Sequence, residues 1–77
     1  MKDLLEYLAK GLVDRPAEVS VDSFEEDDGT LVLELHVADD EVGKVIGRSG
    51  RTVNAIRAVM RAAAVKQGRR VLVDVVD

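Results

Sequence analysis

Residues 45–50 read Val-Ile-Gly-Arg-Ser-Gly and lie between two segments of helical character. Residues 39–41 are acidic and open a short helix, where the positive end of its dipole favours them. A long helix is predicted from about residue 51 to residue 67, with Gly68 as its C-cap. The two glycines three positions apart therefore predict a tight turn that joins consecutive helices.

The segments on either side of this helix pair predict one helix and three strands. Residues 4–13 carry leucine and valine at helical spacing, and Pro16 is expected to end that helix near Asp14. Residues 19–24 and 31–37 alternate between apolar and polar side chains, which predicts two strands. Residues 71–76 form a β-branched run typical of a buried strand. The order α-β-β-α-α-β predicts an α+β fold with helices packed on a three-stranded sheet.

Composition excludes several classes of protein. The chain has 77 residues, which fits one small domain over residues 1–77, and it has no cysteine. Without thiolates, His36 is not expected to found a zinc site and is interpreted as a solvated residue of the sheet surface, so no metal or cofactor is predicted. No paired carboxylates and no nucleophile with a base lie near the turn, so an enzyme is not expected. No segment is apolar enough to insert into a membrane.

Charge is divided unevenly along the chain. Residues 1–42 contain thirteen acidic and three basic side chains, whereas residues 43–77 contain eight basic and two acidic ones. A polyanion could therefore approach the second half although the net charge of the whole chain is −4. Alternatively, the two halves complement each other across the fold.

The turn itself has features of an anion site. Its glycines alone are explained by a tight turn between helix ends. However, Arg48 and Arg51 lie at the positive end of the long helix, where cations are unfavourable. A phosphate bound by the free N–H groups of that helix end would resolve the conflict. Neither the Walker A spacing nor the dinucleotide fingerprint is present. A helix, a Gly-x-x-Gly turn and a second helix instead favour binding of a single-stranded nucleic-acid backbone.

The chain resembles KH domains of the prokaryotic, type II topology, and in particular the family of small bacterial single-KH proteins named KhpA. The segments that carry the resemblance are Leu12-Val13-Asp14 with Pro16 and Val19-Ser20-Val21, the centre Glu41 to Thr52, and Lys66-Gln67-Gly68-Arg69-Arg70-Val71. The resemblance implies a type II KH fold with residues 31–37 central in a mixed sheet. One neighbour would be the antiparallel strand near residues 19–24 and the other the parallel C-terminal strand.

The resemblance also implies a function and partners. It implies a cytoplasmic protein that binds single-stranded RNA, acting as an RNA chaperone or post-transcriptional regulator. The implied partner is a second copy of the chain or KhpB (also called Jag or EloR). The family is linked to cell elongation, division and peptidoglycan homeostasis.

The expected RNA contacts cluster at the turn. The N–H groups of Gly47 and Gly50 would face phosphates. The remaining contacts would be Arg48 and Ser49, with Lys44 and Arg51 flanking them, and an apolar floor of Val42, Val45 and Ile46. These three apolar residues could equally belong to the core. Tyr7 and Phe24, the only aromatic residues, lie far from the turn in sequence, so we expect weak and broadly specific binding.

One side of the long helix carries small apolar residues, namely Ala55, Ala58, Ala62 and Val65. This side either reflects the high helix propensity of alanine or packs against a partner helix. The opposite side, expected to face the sheet, consists of Val53, Ile56, Val59, Met60, Ala63 and Ala64. A second hypothesis for function follows, in which the chain is a protein-interaction adaptor that uses its fold mainly as a dimerisation interface.

Overall fold

The alternating segments and the C-terminal β-branched run form one three-stranded sheet in the computed structural model, which describes residues 1–76. The strands are β1 Ser20–Glu25, β2 Leu31–His36 and β3 Val71–Val76, in the spatial order β1-β2-β3. The central strand β2 runs antiparallel to β1 and parallel to β3. The predicted sheet topology is confirmed.

Three α-helices connect and cover this sheet. They are α1 Lys2–Lys10, α2 Val42–Ile46 and α3 Arg51–Lys66, and single 3-10 turns occupy Pro16–Glu18, Asp39–Glu41 and Arg48–Gly50. The helices and strands follow the order α-β-β-α-α-β, so the predicted α+β class is confirmed.

Period-two alternation gives the sheet one buried face. Leu33 and Leu35 of β2 are fully buried and pack in one cluster with Leu5 of α1 and Met60 of α3. Burial of each such side chain stabilises the fold by about 1.5–3 kcal/mol. The other face of β2 carries Val32, Glu34 and His36, which alternate with the core residues.

The first helix is shorter than the sequence pattern predicts. It ends at Lys10, and Gly11, a residue unfavourable in a helix interior, is its C-cap. The Gly11 N–H donates to the Tyr7 oxygen at 3.3 Å, and the Leu12 N–H makes a tighter bond to the Ala9 oxygen at 3.0 Å. Pro16 then begins a 3-10 turn instead of ending the helix. The chain between them places Val13 in the core and leaves Leu12 39% exposed.

The long helix ends close to where the glycine predicts. Its last residue is Lys66, and Gly68 has a φ of +68°. The Gly68 N–H donates to the Val65 oxygen at 3.0 Å and the Arg69 N–H to the Ala64 oxygen at 2.9 Å, which is a Schellman arrangement. One expectation for this helix is wrong, since Val59 is 46% exposed and does not face the sheet.

A buried carboxylate ties the chain after α1 to the start of α2. Glu41 is 2% exposed, and its two carboxylate oxygens accept the Asp14 N–H at 2.5 Å and the Arg15 N–H at 3.1 Å. Lys44 donates to the same carboxylate at 3.2 Å. The Asp14 N–H, and after it the Lys44 ammonium, hold the pKa of Glu41 below its usual value against the opposing effect of burial.

We predict that this carboxylate makes the fold acid-sensitive. Because the pKa of Glu41 is lower in the folded chain than in the unfolded chain, its contribution is present above the unfolded value and is lost as the pH falls through the folded value. Chemical denaturation at about pH 7 and about pH 3.5 measures this loss. Glu41→Gln should unfold more easily at neutral pH and lose less stability on acidification.

The matched control is Glu26→Gln, which removes one exposed carboxylate from the β1–β2 turn. This variant should follow the wild type at both pH values. An equal loss of stability on acidification in wild type and Glu41→Gln would contradict the prediction.

Candidate nucleic-acid interface

The turn between α2 and α3 has an unusual backbone. Three of its four residues have positive φ angles, which are +75° at Gly47, +55° at Ser49 and +75° at Gly50. The ψ of Gly47 is 174°, a combination that is essentially restricted to glycine. Ser49 adopts the left-handed conformation although it has a Cβ atom, which indicates local strain at the tip of the turn.

The first glycine is also required by a close contact. A Cβ atom on Gly47 would lie 2.1 Å from the Thr52 Oγ1 atom and 2.9 Å from the Thr52 backbone nitrogen. The backbone of the turn therefore packs directly against the first turn of α3. The second glycine, Gly50, has no such contact, and its φ of +75° is what favours glycine there.

The peptide groups that face outward differ from those expected. The Gly47 N–H donates to the Gly43 oxygen at 2.9 Å and the Gly50 N–H donates to the Gly47 oxygen at 3.2 Å, so both are used inside the protein. The Arg48 and Ser49 N–H groups have no acceptor among residues 1–76. The donors available to a ligand are therefore those of Arg48 and Ser49 rather than those of the glycines.

The basic side chains at the turn are not equivalent. Arg48 and Arg51 are exposed, and neither has an acidic partner within the described part of the chain. Lys44 lies one turn of α2 before the loop and pairs with Asp14 at 2.5 Å and Glu41 at 3.2 Å. Both acids raise the pKa of Lys44, Asp14 more strongly. Its positive charge is thus largely offset, whereas the two arginine charges are not.

The three apolar candidates separate by burial. Val45 is fully buried in the core, so the expectation that it contacts bases is corrected. Val42 and Ile46 are half-buried and retain some surface beside the turn.

Some basic side chains of the second half pair with acidic side chains of the first half, as the second interpretation of the charge division predicts. Arg69 pairs with Glu25, and Arg70 lies 3.6 Å from Asp28, so these bases of the second half meet acids of the first half, as Lys44 does. Among residues 1–76, the basic side chains of the second half without an acidic partner are Arg48, Arg51, Arg57, Arg61 and Lys66. All of them belong to the turn or to α3.

The small apolar residues of α3 lie on the protein surface. Ala55, Ala58, Ala62 and Val65 are exposed, Val65 by 74%. Beside them, α1 and α3 enclose an apolar groove of about 230 Å³, lined by Leu8, Leu12, Thr52, Ala55, Ile56 and Val59. Val59 and Leu12 were not expected at this surface, because the helical spacing predicts the first in the core and the second within α1.

The geometry defines a class of protein. A helix, a Gly-x-x-Gly turn and a second helix, mounted on a mixed three-stranded sheet in this order, constitute a KH domain of the type II topology. The profile described as KhpA/KhpB, KH domain matches residues 2–75. The chain belongs to the KhpA/KhpB family, which confirms both the resemblance and the expectation that it is not an enzyme.

Relatives in bacteria match over 90–100% of their length. RNA-binding protein KhpA of Halalkalibacterium halodurans is 53% identical over 78 residues and covers 100% of both chains. RNA-binding protein KhpA of Clostridium acetobutylicum is 50% identical over 76 residues, which is 99% of this chain and 100% of the relative. The protein of the same name in Borreliella burgdorferi is 43% identical over 97% of this chain and 90% of its own.

Solved structures confirm the fold. Era in complex with MgGDPNP and nucleotides 1506–1542 of 16S ribosomal RNA has a TM-score of 0.61 at 20% identity. Era Y63A of Aquifex aeolicus bound to GDP.AlF4- has a TM-score of 0.62 at the same identity. Each match covers 96% of this chain and 28% of the Era chain, so the chain spans little more than a quarter of those proteins. Across residues 1–76, no helix has the length and apolar character needed to cross a membrane.

We predict that Gly47→Ala destabilises the fold by about 1–3 kcal/mol, because alanine must adopt a backbone conformation restricted to glycine and also displace Thr52. Urea denaturation measures the change. Gly43→Ala is the matched control, since a Cβ atom there meets nothing within 4 Å and the residue is helical, so it should stabilise by about 0.4–1 kcal/mol. Equal stability of the two variants would contradict the predicted role of Gly47.

Proposed function

We propose that this chain, as a single KH domain over residues 1–77, binds single-stranded RNA at the Gly47–Gly50 turn. The observation that carries the proposal is the tip of that turn, where Arg48 and Ser49 present N–H groups beside the side chains of Arg48 and Arg51, and none of these groups has a partner among residues 1–76. Anions favour this position, because it lies at the N-terminal end of α3. The name RNA-binding protein carried by full-length relatives supports the same ligand.

Each residue of the proposed site has a distinct role. The Arg48 and Ser49 N–H groups and the Ser49 hydroxyl donate to phosphate oxygens, and the guanidinium groups of Arg48 and Arg51 pair with the phosphate charges. Gly47 and Gly50 shape the turn and leave its backbone accessible. Ile46 offers a small apolar contact beside the turn, whereas Lys44 contributes less because Asp14 and Glu41 hold its ammonium.

Binding at this site is expected to be weak and broadly specific. Two free arginine charges correspond to about two phosphates, for which the logarithm of the binding constant falls by about 1.4 per tenfold increase in salt. Tyr7 and Phe24 lie outside the turn, on α1 and β1, so no aromatic side chain is available there for stacking on bases. Sequence preference would have to come from hydrogen bonds and from apolar contacts with the surface beside the turn.

We predict that Arg48→Asp/Ser49→Asp lowers the affinity for a pool of short single-stranded RNAs by about tenfold or more, because phosphates would meet carboxylates at the tip. Aspartate tolerates the left-handed conformation of residue 49, so the variant should fold. Fluorescence anisotropy at low and moderate salt measures binding, and circular dichroism checks the fold.

The matched control is Lys2→Asp/Ser20→Asp, which makes the same change in charge at exposed positions of α1 and β1. It should bind nearly as well as the wild type. Equal loss in both variants would mean that net charge alone governs binding, and no loss in the first would place the RNA elsewhere.

We further propose that the chain forms a homodimer, or an equivalent heterodimer with KhpB, through the exposed side of α3. The apolar surface that Ala55, Ala58, Ala62 and Val65 present is continuous with the groove that reaches Val59 and Leu12. Small side chains allow two helices to approach closely, and burial of Val59 and Leu12 would remove apolar area that a monomer leaves in water.

We predict that Ala62→Glu and Val59→Glu each convert a dimer into a monomer of 8.4 kDa, because a carboxylate would be buried in the helix contact. Sedimentation equilibrium measures the mass. Ala17→Glu is the matched control, because it introduces the same side chain at an exposed residue outside α3, and it should leave the mass unchanged. A dimer that persists in both apolar-side variants would exclude this side of α3 as the interface.

The wider role that fits these properties is that of a cytoplasmic RNA chaperone or post-transcriptional regulator, acting with KhpB in cell elongation, division and peptidoglycan homeostasis. A second function, that of a protein-interaction adaptor, is favoured by the exposed apolar side of α3. The two proposals give different outcomes, because an adaptor would dimerise as described and bind RNA no better than the Arg48→Asp/Ser49→Asp variant does.

A further inference from the structure

The sheet face opposite the helices carries a cluster of metal-ligating side chains. Asp22 lies on β1, while Glu34 and His36 lie two positions apart on β2 and therefore on the same face. One ligand atom from each of the three residues lies within 4.8 Å of the other two. The His36 Nε2 and Asp22 Oδ2 atoms are 3.1 Å apart. No sequence motif indicates this cluster, because Glu34 lies twelve positions after Asp22 and a turn lies between them.

The strand register concentrates negative charge at this place. Asp22 lies directly opposite Glu34, and Asp74 of β3 lies opposite Glu34 on the other side. Three carboxylates thus form a row across the sheet, and like charges at directly opposed positions are unfavourable. Phe24, Val32 and Leu72 form the adjacent row and give the cluster an apolar border. A bound dication would offset the repulsion within the acidic row.

We propose that Asp22, Glu34 and His36 bind one divalent transition-metal ion, with Zn²⁺ as the representative ligand. An imidazole nitrogen and two carboxylate oxygens are a chemically suitable donor set, and three protein ligands leave a position for water. The imidazole selects transition metals over Mg²⁺ and Ca²⁺, which prefer oxygen donors alone.

The approach of the ligands requires only side-chain rotation. Donors that share one Zn²⁺ ion at about 2.0–2.2 Å lie roughly 3.3–3.5 Å from each other, which is close to the separation of His36 and Asp22. The backbone positions are fixed by the antiparallel ladder, in which Asp22 pairs with Glu34. Metal binding would therefore link β1 to β2 and stabilise the folded chain without rearranging it.

This site is separate from the proposed RNA-binding turn. The turn belongs to the helix layer that packs on the core face of the sheet, whereas the cluster lies on the opposite face. Loss of metal binding should therefore leave RNA binding unchanged, so the two proposals can fail independently.

Zn²⁺ titration of the untagged chain by isothermal calorimetry tests the proposal, with Mg²⁺ in a parallel titration. The wild type should bind one equivalent of Zn²⁺, and its unfolding temperature should rise by about 3 °C or more at saturation. His36→Gln and Asp22→Asn should each lower the affinity by about tenfold or more. Asp27→Asn, which removes an exposed carboxylate from the β1–β2 turn, should retain full affinity.

If either His36→Gln or Asp22→Asn folds poorly, the other variant still tests whether the ligands bind Zn²⁺. The proposal is overturned if the wild type fails to bind Zn²⁺, or if it binds Mg²⁺ equally well. It is also overturned if folded His36→Gln binds as the wild type does, or if Asp27→Asn loses as much affinity as the ligand variants. The last result would mean that Zn²⁺ binds through the general negative charge of the surface and not at a specific site.

Discussion

The buried carboxylate of Glu41 sets the geometry on which the rest of the site depends. Glu41 directly precedes α2 and accepts hydrogen bonds from two backbone N–H groups of the segment after α1. These bonds fix the position of α2, the helix that leads into the Gly47–Gly50 turn. A carboxylate this deeply buried is tolerated because it is hydrogen-bonded and paired. The same group also engages Lys44. This carboxylate therefore orients the turn and also pairs with Lys44, so that among residues 1–76 the basic side chains at the turn without an acidic partner are Arg48 and Arg51.

The strands were predictable because alternation is a local property of the sequence, whereas their order in the sheet was implied by the resemblance to KH domains. Apolar residues at every second position of β2 identify its core face without knowledge of the partner strands. The end of α1 was less predictable, since leucines continue at helical spacing past Gly11. Val59 was placed wrongly for a related reason. Helical periodicity shows which residues share one side of α3. It does not show that the side with Val59 borders an open groove next to α1 instead of the sheet.

The turn was identified from its residues, but the sequence does not specify the hydrogen bonds within it. Which N–H groups remain free depends on the φ and ψ angles of four consecutive residues, and the Gly-x-x-Gly pattern alone does not specify them. The burial of Val45 and the pairing of Lys44 were hidden for a different reason. Lys44 pairs with Asp14, which lies thirty positions earlier in the chain. The spacing of neighbouring residues cannot predict a contact between such distant positions.

The edge position of β3 has a consequence for the behaviour of the chain in concentrated solution. This strand is a run of β-branched and apolar residues with a neighbour on one side only, and such an edge is a template for pairing with another molecule. Arg57 of α3 donates from its Nε atom to the Val73 oxygen at 3.2 Å, and Asp74 adds a charge to the strand. Both features discourage intermolecular strand addition, so α3 helps to keep a small and acidic chain from aggregating through its own sheet.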